Sequence, residues 1–212
     1  MSRQCHLRGA MFARLGRLCE DQRAAQLVEF AVALPLLALF VVGIFDFSGA
    51  FTLKQKLTNI TRDAARAAAA DPANDLSSTF GSGSAPVSVV DAFHIVDNYL
   101  AANRISDCGV KASDVTSTGT LTWQYKVTPG GGSSCGITMI INRGYAFPTT
   151  GAAAPPVSCA SQTVGAQTAV VGTCVSIQYR YHWRFGGLSR MFGANTTLPP
   201  QISAISVVMN EN

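Results

Sequence analysis

What the chain lacks narrows its chemistry before anything it contains. Its six cysteines include no C-x-x-C pair and its three histidines, His6, His94 and His182, stand far apart, so the ligand spacing of a zinc site is missing. There is no H-E-x-x-H helix and no paired Ser/His/Asp pattern above chance, and no G-x-S-x-G elbow is expected. An enzyme is therefore not expected. Charge is scarce: Asp, Glu, Lys and Arg make up 13% of the residues and the net charge is only +4, which points to no particular acidic partner. Arg3, Arg8, Arg14, Arg17 and Arg23 are scattered rather than clustered, and nucleic acid is not an expected partner. Low charge with abundant Ala, Gly, Ser and Thr is typical of exported proteins.

The one long stretch without charge lies between Glu29 and Asp46. At helical rise it covers roughly 25 Å, close to the hydrocarbon thickness of a bilayer. It is too long for a secretory signal and lacks a convincing small-x-small cleavage site. Pro35 inside it is tolerated in a membrane helix. Beyond it, Leu53, Leu57, Ile60, Ala64 and Ala68 recur at spacings of three and four while Gln55, Asn59, Arg62, Asp63 and Arg66 fall elsewhere on the wheel. The pattern predicts one helix that crosses the membrane and continues outside it with an apolar face. It is expected to stop at Asp71-Pro72, because a residue before proline is pushed out of the helical region.

Glu29, followed by Phe30, is the exception in the apolar run. An acid near a span is a functional candidate, since it costs free energy that a plain anchor has no reason to spend. Val28, Glu29, Phe30, Ala31, Leu34, Pro35, Gly43, Ile44, Asp46 and Phe47, together with Thr58, Asn59, Arg62, Ala64, Ala65, Arg66 and Ala67, form a run that resembles the TadE-like family, minor pseudopilins of the tight-adherence (Flp, type IVc) pilus system. The resemblance implies processing by a prepilin peptidase between Ala24 and Ala25, with alanine where the family has glycine. It implies further that Glu29 pairs with the free amine of a neighbouring subunit. The implied partners are the membrane, the prepilin peptidase and other pilins and pseudopilins, with no cofactor and no small-molecule substrate. The implied location is the bacterial inner membrane, amino terminus cytoplasmic and the C-terminal domain periplasmic or extracellular. The reading weighed against it is a single-pass anchored binding or adhesive module unrelated to pili.

Downstream, a Ser/Gly-rich linker is followed at Pro86 by a second helix with a stripe of Val89, Val90, Phe93, Val96 and Leu100. His94 beside that stripe reads as a surface residue. Period-two alternation then marks strands at Leu121–Val127, from Ile137, at Val175–Arg184 and at Gln201–Met209. The basic row Arg180, His182 and Arg184 reads as an ordinary solvated sheet face. The expected fold class is α+β: a long N-terminal helix packed with a second helix against a small antiparallel sheet, a pilin-like arrangement. The expected divisions are a leader over 1–24, the helix over 25–71, a linker over 72–86 and an extracytoplasmic domain over 87–212. Cys108, Cys135, Cys159 and Cys174 follow the span, in an exported domain where two disulfides are expected. Of three connectivities, Cys108 with Cys135 and Cys159 with Cys174 is favoured.

Overall fold

The computed structural model describes residues 22–77, 80, 83–130, 134–147, 158–159, 170–184 and 199–210. Cys5, Cys19 and the arginines Arg3 to Arg17 of the leader lie outside the described residues. The chain divides into two compact units, with the boundary between Ser48 and Gly49.

Helix α1 is continuous over Gln22–Ala70 with Pro35 inside it, one residue short of the stop expected at Asp71-Pro72. In the first unit its large apolar side chains from Leu27 to Phe47 are exposed, except for the half-buried Val42. In the second unit the same helix turns one face inward: Leu57, Ile60, Ala64 and Ala68 are fully buried and Leu53 packs on the core beside them. Gln55, Asn59, Arg62, Asp63 and Arg66 are all exposed. Alanine at the buried positions lets the helix lie close to its neighbours while keeping a high helix propensity.

The stretch after α1 is more structured than a Ser/Gly-rich linker suggests. A 3-10 turn covers Ala73–Ser77, and Leu76, Phe80 and Ala85 pack against the core. Phe80 meets Trp123 edge to face, ring centroids 6.3 Å apart. Helix α2 spans Val87–Ala102. Pro86, at its N-cap, has no side chain able to receive the first free amides, and Asp75 supplies one from the preceding turn by accepting the Ser88 N–H at 3.1 Å. Val89, Phe93, Val96 and Leu100 are buried as the stripe requires, whereas Val90 is half-buried; His94 is exposed.

Five strands form one antiparallel sheet in chain order: β1 Val115–Gly119, β2 Thr122–Val127, β3 Ile137–Phe147, β4 Val170–Arg180 and β5 Gln201–Met209. Val115, Trp123, Tyr125, Ile137, Met139, Ile141, Val175, Ile177 and Ala204 face the helices in one core, with Phe93 stacked on Tyr125 at 4.5 Å. Tyr145, Cys159 and Cys174 form a smaller cluster with Ile140, Phe147, Ile205 and Val207. β3 changes faces through a register shift between Asn142 and Tyr145, where Gly144 donates to the Asn142 side chain at 2.9 Å. A side chain at Gly144 would meet Leu121 Cδ1 at 2.9 Å and Cβ at 3.2 Å, so glycine lets Leu121 pack closely against the kink. The architecture is α+β.

Two expectations are corrected. β4 ends at Arg180 rather than Arg184, so Tyr181 to Trp183 leave the ladder and His182 and Arg184 are not on a sheet face. β1, with the polar sequence Val-Thr-Ser-Thr-Gly, has only one buried residue, Val115, and no alternation to announce it. Leu121 also falls outside β2, in a left-handed turn with φ 55°.

Disulfides join Cys108 to Cys135 and Cys159 to Cys174, the pairing favoured from sequence. The closed loops, 27 and 15 residues apart in sequence, stabilise by about 3 kcal/mol each in the chain-entropy account.

A buried arginine fixes the end of α1. Arg143, only 1% exposed, donates to the Asp71 carbonyl at 3.0 Å and to Thr173 at 3.1 Å, and Thr173 in turn donates to Asn210. Burial lowers the Arg143 pKa, opposed by the nearby carboxylates of Asp75 and Asp71. The Asp71 carboxyl is raised above its ordinary value by burial and by Asp91 and Asp75, with Arg143 acting against them.

Candidate functional site on the N-terminal helix

Ala24, Ala25, Glu29 and Phe30 lie within the first turns of α1, and the side chains of Glu29 and Phe30 are exposed. The first turn contains no acidic residue to favour its free amides. Ala25 and Glu29 are four residues apart, the spacing at which two groups share a helix face.

Glu29 stands at the head of a stripe of apolar side chains along the helix, Val28, Val32, Ala33, Leu36, Leu37 and Phe40. This is an apolar setting in which a lone carboxylate is expensive and a paired one fixes register. Asp46, the other acid bounding the run, is buried. The two acids differ in setting: Asp46 is buried, while Glu29 is exposed among exposed apolar groups.

Elsewhere the chemistry is thin. Among the described residues no group of three or more His, Cys, Asp or Glu side chains could hold a metal ion. The letters Gly132-Ser133-Ser134-Cys135-Gly136 spell G-x-S-x-G. However, Ser134 to Gly136 lead into strand β3 rather than a helix, and Cys135 is bridged to Cys108. Burial raises the pKa values of Tyr125 and Tyr179, in Tyr179 with a further contribution from Asp107, so both are held as neutral phenols.

Among the described residues one helix is long and apolar enough to cross a membrane. With the α+β domain that follows, it defines the class: a single-pass membrane anchor carrying a C-terminal domain. Within that class the family description "TadE-like protein" matches residues 24–66, so this segment, from the proposed processing site to Arg66, is TadE-like. No curated protein and no solved structure matches the chain.

Proposed function

We propose that the chain is a minor pseudopilin, a membrane-held subunit that supports biogenesis of an adhesive Flp/Tad-type pilus. The observation that carries the reading is Glu29, an exposed acid at the head of an apolar helix within the segment that is TadE-like. Prepilin peptidase cuts between Ala24 and Ala25 on the cytoplasmic face of the inner membrane, and the domain lies on the opposite side. Glu29 then pairs with the new amine of a neighbouring pilin or pseudopilin. In hydrocarbon the pair is worth forming because either charge alone is costly, and it sets the axial register of adjacent helices. The disulfides accord with a domain outside the cytoplasm.

The test is genetic and chemical. Glu29→Ala should leave protein abundance unchanged yet reduce surface piliation severely, and amino-terminal sequencing of the wild-type chain should begin at Ala25. Normal piliation by the Glu29→Ala strain would overturn the reading.

A further inference from the structure

We propose that the end of the domain next to the apolar run, where Lys54, Arg180, Tyr181, His182, Trp183 and Arg184 gather, rests on the membrane surface and binds anionic phospholipid headgroups. Gly49 follows three residues after Asp46, where the uncharged run ends. By connectivity, whatever packs beside Gly49 lies close to the bilayer. That neighbour is Tyr181, whose hydroxyl would stand 2.9 Å from a Cβ placed on Gly49. A turn further on, Lys54 donates to the Ser203 carbonyl of β5. Tyr181 N–H meets the Pro200 carbonyl at 3.0 Å, the Tyr181 and Trp183 rings are in edge contact at 5.0 Å, and the Trp183 indole donates to the Pro199 carbonyl at 2.9 Å. The β4–β5 end is thus fastened beside Gly49 and Lys54.

Its composition suits that depth. Trp and Tyr favour the interfacial layer because one edge is apolar and the other polar. Lys54, Arg180 and Arg184 are exposed around them, with His182 between the two arginines, and each Lys or Arg near an anionic surface strengthens attachment roughly fivefold. Asp107, close enough to Tyr179 to raise its pKa, is an acid at this end. At the opposite end of the sheet Asp71, Asp75 and Asp91 sit near Arg143. An anionic surface therefore attracts the end that carries Lys54, Arg180 and Arg184. The departure of β4 from the ladder after Arg180 has a use in this arrangement, since it frees Tyr181 to Arg184 from a sheet face and turns them along the domain's end.

The test uses the full chain in nanodiscs of phosphatidylcholine alone or mixed with phosphatidylglycerol. In a Trp123→Phe chain, Trp183 is the one remaining tryptophan, and phosphatidylcholine brominated near the headgroup should quench it. Amide exchange over residues 180–184 should slow about fivefold when phosphatidylglycerol is present. The paired change Arg180→Gln and Arg184→Gln should abolish that lipid dependence while the circular dichroism spectrum stays the same. Equal exchange in the two lipids, an unquenched Trp183, or protection that develops only when an acidic protein is added would each overturn the proposal. No pilus is needed for these measurements, so their outcome is independent of the piliation assay.

Discussion

The two halves of α1 have similar helix-forming sequences and opposite surroundings. In the first, Phe30 is 64% and Phe45 70% exposed; in the second, Leu57 is 0% and Ile60 1% exposed. A protein does not keep so long an apolar surface in water, so the first half takes lipid as its solvent and the second takes protein. The difference explains why polar residues in the second half can be sorted to one side, while the first half tolerates almost none. One helix thus obeys two sets of burial rules, and the boundary falls where the apolar run ends.

That contrast is sharpest in paired substitutions. Leu57→Ala should destabilise the domain by about 2–5 kcal/mol, because it opens a cavity in the packed core. Leu36→Ala, in the lipid-facing half, should leave the domain's denaturation midpoint in detergent unchanged; equal losses from the two would break the comparison. Arg143→Met comes next. It leaves the Asp71 carbonyl and Thr173 without their donor and should cost about 1–3 kcal/mol, with earlier amide exchange in the last turn of the helix.

Asp71→Asn is the smallest. A carboxyl whose folded pKa is raised above 3.8 contributes stability at pH values below 3.8 and loses that contribution as pH rises through its folded value. The asparagine variant should accordingly gain slightly on the wild type near neutrality and match it in acid. A wild-type advantage at neutral pH would show that Arg143 outweighs burial and the neighbouring acids.

Much of this was legible in the residues. The period-three-and-four spacing of Leu53 to Ala68 located the buried face of α1, and the alternation of Gln201 to Met209 gave β5 its bounds. These elements present one apolar face to one core, the case in which periodicity is informative. The failures share the opposite property. β1 is polar and short, and β4 runs Val170–Arg180 rather than the expected Val175–Arg184, because Tyr181 and Trp183 continue the alternation after the ladder has ended. The Asp75 cap joins positions 13 residues apart, beyond any local signal. Arg143 carries no local sequence signal of burial, and its place inside is seen only from its bonds to the Asp71 carbonyl and Thr173. The candidate site was legible for a different reason: Glu29 contradicts its apolar neighbours, and such a contradiction is visible without coordinates.

The packed segment of α1 is fastened near both ends, by Lys54 to β5 and by Arg143 beneath the carbonyl of Asp71. Traction applied through this rod would reach the strands at separate points and load the packed faces in shear rather than peeling them apart turn by turn. For a subunit held in a bilayer while something outside pulls on its cap, that arrangement converts a slender attachment into a grip. A lower rupture force in the Arg143→Met chain would be its mechanical signature.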